Sequence, residues 1–487
     1  MFPLTLEILF FFVVTTPFVG WLLAKKNRQN LCGIYTVLGL LISGIALYSL
    51  FSQVSGGSVV SYPSPLSSFV AGFRIDMLGV FMATISIGLG LLVVVYSIKY
   101  MENETGNMLY YTLLAAMISG TIGVAFAGDL FTLYVFWELM CISSYVLVAF
   151  RKTDWEPIEA GMKYLIMSAA GSATLLMGMS LLYGITGTLN FQSLASALTA
   201  AKQNNWLSIS FLLILVGFGV KASIVPLHTW LPDTYSAAPT PISALLSGVV
   251  TETGLYALAR TLFSAFFAFQ AQWSLVLAVL SIVTMTLGNI TALLQKDIKR
   301  LLAYSSIAQV GYMLVGLAVG TQLGITGTFL QILNHALMKG TAFLCVGAII
   351  YRTGSRQLDE IAGIGRKMPL TAIIFAISLF ALTGMPPLNG FVSELVLFTS
   401  AVQANMAWLG IAIILNSILS AAYYLQVMRF LVRPGLSEKL EKVKEAPLVM
   451  LVPICIMAIL IILLGVYPDP VLNFARKAAQ SLLSMGG

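Results

Sequence analysis

The sequence predicts an all-α polytopic membrane protein of about fourteen transmembrane helices. Three observations lead there. Of 487 residues 59% are apolar and 9% charged, against roughly a quarter charged in soluble domains. Mean hydropathy is +0.93. The apolar residues also come in runs of about 20 or more, one bilayer crossing each, with short loops between them. A soluble globule is excluded, and no stretch is left for a soluble domain.

In chain order the runs fall near residues 3–24, 31–51, 76–98, 109–127, 130–150, 158–184, 207–231, 241–265, 272–294, 301–320, 323–351, 369–401, 407–432 and 446–467. No Lys or Arg precedes the first run and no small-residue cleavage site follows it, so it reads as a first helix and not as a removed signal. Cys32, Cys141, Cys345 and Cys455 each stand alone in an apolar run, a pattern of packing residues without disulfide or cluster-ligand spacing. The seventh run carries Lys221, Pro226 and Pro232; the twelfth carries Gly384, Pro386, Pro387, Gly390 and then Glu394. Proline removes a backbone donor and glycine loosens the chain, so both runs are expected to break inside the membrane. Two broken helices five runs apart suggest two inverted repeats, helices 4 to 8 and 9 to 13. The chain then divides into 1–108 (helices 1–3), 109–265 (first repeat), 272–432 (second repeat) and 446–487 (helix 14 and tail).

Orientation follows from the basic residues. With the N-terminus outside, the inner loops hold 18 Lys and Arg, Lys25, Lys26 and Arg28 among them, and the outer ends and loops hold only Arg74, Lys202, Arg476 and Lys477. The positive-inside rule therefore places both termini outside. Lys163, Lys221, Arg260 and Lys339 complete the 26 basic residues and must lie within helices.

An ionised group in hydrocarbon costs several kcal/mol without a partner, so intramembrane charges mark function by default. Glu138 lies mid-run; its plain alternative is a neutral Glu bonded to a neighbouring helix. Lys221 stands just before the break, about 21 Å into its helix, too deep to snorkel easily. A lysine near a carboxylate can be a switchable proton site. Glu252 is also central, and could equally be a static partner of a lysine. Gln331, His335 and Lys339 follow at i, i+4 and i+8, one polar stripe read as a wet relay. Ser305, Gln309 and Tyr312 form a similar face, open to the reading of simple interhelical bonding. Glu394 follows the second break, where water can reach it. His228, beside Pro226, either lines the same path or caps the broken segment. From Glu138 to Glu394 the signs alternate, as in a chain of neutralising pairs. Glu159 and Lys163 make an i, i+4 pair and Arg260 lies toward the outer end of its helix, so both stay out of the path; single Met and aromatic residues are assigned to packing.

The segments GDLFTLYVFWELMCISSY, KASIVPLHTWLPDTYSAAPTPISALLSGVV, DIKRLLAYSSIAQVGYM, HALMKGTAFL and GMPPLNGFVSE resemble the antiporter-like subunits shared by respiratory complex I, Mrp cation/proton antiporters and membrane-bound hydrogenases. The resemblance spans about residues 70–465 and is greatest to the D-type Mrp subunit and its hydrogenase counterpart. It implies a fourteen-helix fold with two inverted five-helix repeats, broken helices 7 and 12, and a lateral string of charges moving protons. It gives Glu138 the role of the carboxylate tuning the helix 7 lysine, Lys221 that of the lysine, and Glu394 the helix 12 position. Most such subunits carry Lys where this chain has Glu252.

The expected function is proton translocation as one subunit of a multisubunit membrane complex. Expected partners are other membrane subunits, the lipid bilayer, protons and, in an autonomous-transporter alternative, sodium. Nucleic acid is excluded because the basic residues are spread over short loops. A quinone-binding redox subunit fares poorly: two histidines, four isolated cysteines and no glycine-rich nucleotide loop leave nothing to hold a cofactor.

Overall fold

The computed structural model describes residues 3–25, 31–64, 72–200, 205–434 and 438–484; Lys26, Arg28 and Lys202, which entered the orientation count, lie outside them. The chain is a multi-pass helical membrane protein. Two apolar helices, α1 (Leu4–Lys25) and α2 (Leu31–Val54), precede a hairpin in which β1 (Val60–Pro63) pairs antiparallel with β2 (Gly72–Ile75). Then come α3 (Met77–Tyr100), α4 (Asn107–Phe126), α5 (Leu130–Val148) and α6 (Trp155–Thr186). A short α7 (Phe191–Ala200) leads into α8 (Asn205–Lys221), α9 (Trp230–Ala237), α10 (Thr240–Leu245) and α11 (Thr251–Ser264). The rest is α12 (Gln270–Leu293), α13 (Ile298–Val319), α14 (Gln322–Thr353), α15 (Pro369–Leu382), α16 (Asn389–Gln403), α17 (Ala407–Val432), α18 (Glu438–Glu441), α19 (Leu448–Val466) and α20 (Asp469–Leu483).

Among the described residues twelve helices, counting α10 and α11 as one, are long and apolar enough to cross a bilayer. Both runs expected to break do so. Lys221 ends α8, and α9 begins only at Trp230, with Pro226 in the gap. The Trp230 indole donates to the freed Val220 carbonyl at 2.8 Å, and Thr284 Oγ1 accepts from Val225 N at 3.2 Å, so neighbouring side chains satisfy backbone groups that the break exposes. In the second gap, between Leu382 and Asn389, stand Pro386 and Pro387, and Gln309 donates to the Leu382 carbonyl at 3.4 Å. Gly384 has φ +71, and a Cβ there would meet the Glu394 carboxylate, so this turn needs glycine.

Several features recur along the chain. Asp129 caps α5, its carboxylate accepting from Thr132 N at 2.7 Å; Asp297 caps α13, accepting from Lys299 N at 2.8 Å. Each capping residue forms a bridge to the chain just past the next helix, Asp129 with Asn190 and Asp297 with Gln357. That next helix, α6 or α14, has 32 residues in both cases and ends on a left-handed glycine, Gly187 or Gly354. Gly120 of α4 and Gly288 of α12 lie against the backbones of Met140 and Ala308, a Cβ at either reaching within 2.6 Å of a main-chain nitrogen.

Besides the one-turn α18, three elements were absent from the sequence expectation: the hairpin and the helices α7 and α20. Both helices are amphipathic and too short to span. α20 sets Val471, Ala475, Ala478, Ala479 and Leu482 against the bundle, and Lys477 donates to the Ser55 carbonyl at 3.2 Å. Between α10 and α11 the residues Leu246–Val250 form a π turn, which a hydropathy pattern does not reveal.

Candidate buried charge line

Lys221 is 1% exposed, and its immediate partner is a tyrosine. Nζ donates to Tyr164 Oη at 2.5 Å and lies 4.6 Å from the Tyr164 ring centroid and 5.5 Å from that of Tyr145. The Cys141 thiol faces the same ammonium. Tyr164 is held from both sides: it stacks on Trp230 with centroids 4.3 Å apart and planes at 8°, and its hydroxyl meets Ser144 Oγ at 3.0 Å. The expected ion pair between Glu138 and Lys221 is not among the ion pairs of the described residues. Glu138 is half-buried on α5 with Oε1 unpartnered, and Cys141, Tyr145 and Tyr164 occupy the lysine's surroundings instead. Aromatic residues on these helices are thus more than packing. In the sequence Tyr164 shares the buried face of α6 with small residues such as Ala160, Gly161 and Ser168 and with bulky ones, Leu175, Met179 and Leu182, and nothing there marks its hydroxyl.

Glu252, in the first turn of α11, is fully buried. Alternating signs led us to expect a lysine beside it; its partner is His335, with Oε1 and Nδ1 2.5 Å apart. Whether imidazole or carboxylic acid is the donor, one proton sits between them. The outer atoms of the pair, Glu252 Oε2 and His335 Nε2, are buried without a hydrogen-bond partner among the described residues. One residue before Glu252, Thr251 Oγ1 meets Tyr235 Oη at 2.6 Å, and Tyr235 packs edge-on against Trp230. A chain of contacts through the Trp230 and Tyr235 rings and the Tyr235 and Thr251 hydroxyls thus leads from the Lys221 pocket to the residue before Glu252.

The three residues of the α14 stripe meet different partners. Gln331 donates to Gln309 at 2.5 Å, His335 faces Glu252, and Lys339 donates to Ser305 Oγ, to the Leu302 carbonyl at 3.0 Å and to Tyr424 at 3.4 Å. The face of Ser305, Gln309 and Tyr312 on α13 is accordingly interhelical bonding, two of its three members serving the α14 stripe. Glu394, 9% exposed on α16, accepts from Ser417 at 2.9 Å, and Ser417 meets Tyr312 at 3.2 Å. His228 lies half-buried in the first gap with Nδ1 unpartnered.

Two buried polar groups escaped the sequence reading. Asn334, next to His335, donates to the Asn389 carbonyl at 2.9 Å and accepts from its amide at 3.0 Å, tying α14 to the start of α16. Arg260, set aside as peripheral, is fully buried: it pairs with Asp76 at 3.0 Å and donates to Tyr256 at 2.9 Å. Asp76 also caps α3, accepting from Gly79 N at 2.8 Å. The i, i+4 pair of Lys163 and Glu159 is present at 2.9 Å. Among the described residues no group of three His, Cys, Asp or Glu is placed to hold a metal.

A multi-pass bundle whose two interrupted helices carry buried titratable groups has the architecture of an antiporter-like membrane subunit. The family described as "NADH:quinone oxidoreductase/Mrp antiporter, TM" matches residues 127–420, and "NADH-Ubiquinone oxidoreductase (complex I), chain 5 N-terminus" matches 65–111. The chain belongs to this NADH:quinone oxidoreductase/Mrp antiporter family. It is similar to F(420)H(2) dehydrogenase subunit N of Methanosarcina mazei, 34% identical with 94% of each chain covered. To NADH-quinone oxidoreductase subunit N of Trichlorobacter lovleyi it is 38% identical, covering 90% of this chain and 91% of that one. In structure it resembles a chain of the archaeal membrane-bound sulfane sulfur reductase (TM-score 0.88, 29% identity, 99% and 97% covered). A chain of the Mrp complex of Dietzia sp. shares its fold (TM-score 0.88, 24% identity, both chains fully covered).

Proposed function

We propose that this chain is a proton-translocating subunit of a multisubunit complex in the cytoplasmic membrane, with no redox centre of its own. One observation carries it: Lys221, Glu252, His335, Lys339 and Glu394 are buried in the span between the two interrupted helices, and each contacts a hydroxyl, an amide or another titratable group. Such groups are costly in a membrane core, and a string of them that can exchange protons is what lateral translocation requires. Glu138 enters as the carboxylate at the near end, and Gln309, Gln331 and His228 as polar groups beside the line. The relatives are named as subunits of larger assemblies, which supports the expectation of partner subunits. Twelve spanning helices together with the two interrupted ones make fourteen crossings, with both termini outside. The repeated caps, bridges and 32-residue helices support two inverted halves, 109–265 and 272–432.

The test is Lys221→Ala in the assembled complex, reconstituted in vesicles with a pH-sensitive dye. Ion translocation is lost while the complex assembles normally; wild-type proton transport in the assembled variant would end the proposal.

A further inference from the structure

The cations at one end of the bundle fall into two groups. In the first, each side chain has an oxygen partner. Arg151 pairs with Glu104 at 2.7 Å, Lys163 and Arg300 share Asp233 at 3.0 and 2.8 Å, Arg356 pairs with Glu156 at 2.6 Å, and Arg352 donates to the Glu445 carbonyl at 2.7 Å. In the second, which also holds Lys152, Lys296, Lys442 and Lys444, there is no acidic partner among the described residues; what sets Arg366, Lys367, Arg429 and Arg433 apart is that they are gathered together. These four come from two segments that touch. Gly363 N donates to the Phe430 carbonyl at 2.8 Å, and a Cβ on Gly365 would lie 2.9 Å from the Leu431 carbonyl oxygen.

We propose that this cluster binds the phosphodiester headgroup of an anionic phospholipid. Depth is the first reason. Arg429 is in the last turn of α17, a membrane-spanning helix, and Arg433 follows its end, so both stand at the headgroup level of the bilayer. Shape is the second. Gln426, Arg429, Phe430, Val432, Arg433 and Pro434 line a cleft of about 610 Å³, so that two cations and apolar side chains share its lining. A headgroup with an acyl chain attached satisfies both surfaces; a soluble anion satisfies only the first. Arginine is suited to the task, because its planar donors pair bidentately with phosphate oxygens. Basic pockets at helix ends are a general means of holding such lipids.

The experiment uses the purified complex, delipidated in neutral detergent, and titrates phosphatidylglycerol against phosphatidylcholine while following lipid retention by native mass spectrometry and thermal melting. Phosphatidylglycerol is retained and raises the melting temperature of the wild type. The double variant Arg429→Gln/Arg433→Gln, and separately Arg366→Gln/Lys367→Gln, reduce retention several-fold, whereas Lys152→Gln/Lys296→Gln, which neutralises cations elsewhere, does not. Equal retention in all three variants overturns the proposal. So does equal stabilisation by inorganic phosphate, which marks a site for free anions, or loss of another subunit from the variants with lipid retention unchanged, which marks a protein-docking surface. None of these measurements reads proton transport, so the outcome is independent of the proposed function.

Discussion

Tyr164→Phe removes one oxygen atom from the Lys221 pocket and little else. The ring keeps its stack on Trp230, and Ser144, which also donates to the Cys141 carbonyl at 2.7 Å, is not left alone. Lys221 Nζ loses the hydroxyl at 2.5 Å and keeps the aromatic faces at 4.6 and 5.5 Å. A hydrogen bond to a charged group contributes about 1.5–3 kcal/mol. At about 1.4 kcal/mol per factor of ten, that is a roughly 10- to 150-fold change in the balance between charged and neutral lysine. Proton translocation by the reconstituted complex is therefore expected to fall about tenfold or more, with subunit composition and melting temperature nearly unchanged. Glu138→Gln has the smaller effect, because its carboxylate makes no bond to the lysine. A Tyr164→Phe complex that transports at the wild-type rate, beside a Glu138→Gln complex that does not transport, refutes the pocket described here.

Glu252→Gln should slow transport, because the amide cannot share a titrating proton with His335. Glu252→Lys should not restore it, since a third buried lysine then joins Lys221 and Lys339; wild-type rates in Glu252→Gln would make the residue a structural acid. Arg260→Met leaves Asp76 charged and buried without the guanidinium it pairs with, a loss of roughly 3–5 kcal/mol for a broken buried pair. The complex should melt at a clearly lower temperature, and adding Asp76→Asn should recover much of the difference; an unchanged melting curve for Arg260→Met counts against the pair. Cysteines introduced within 352–368 should react with an impermeant thiol reagent from the cytoplasmic side, and labelling from the opposite side would reverse the topology.

Hydropathy made the crossings legible, as the limits of α2, α3, α5, α12 and α17 against their runs attest, because burial in lipid is a property of composition over some twenty residues. The breaks were legible too, since Pro226, Pro386 and Pro387 act through local backbone chemistry. What composition does not carry is partnership. Glu252 and His335 are 83 residues apart, and nothing in either segment says that they meet, so sign alternation assigned Glu252 a lysine. Arg260 appeared peripheral because its counter-ion, Asp76, lies 184 residues away. Tyr164 was hidden for another reason: an aromatic residue in an apolar helix has an ordinary explanation, and only the lysine beside it makes the hydroxyl matter. The amphipathic α7 and α20 and the hairpin fell below a pattern tuned to long apolar runs.

The wide turn at Leu246–Val250 acts on the line from a distance. An α-helix advances about 100° per residue, so a turn holding an extra residue resets the phase of everything after it. Helix α11 starts directly after that turn with Glu252 in its first turn, so the phase set there fixes the bearing from which Glu252 meets His335. The choice of proton partner is thus written into the winding of the backbone ahead of the carboxylate. Rewinding that stretch as regular α-helix with all its residues kept would swing the carboxylate about a quarter of a circle from the imidazole while leaving every charge in the protein in place, whereas deleting one residue as it rewinds would leave the carboxylate near its present bearing.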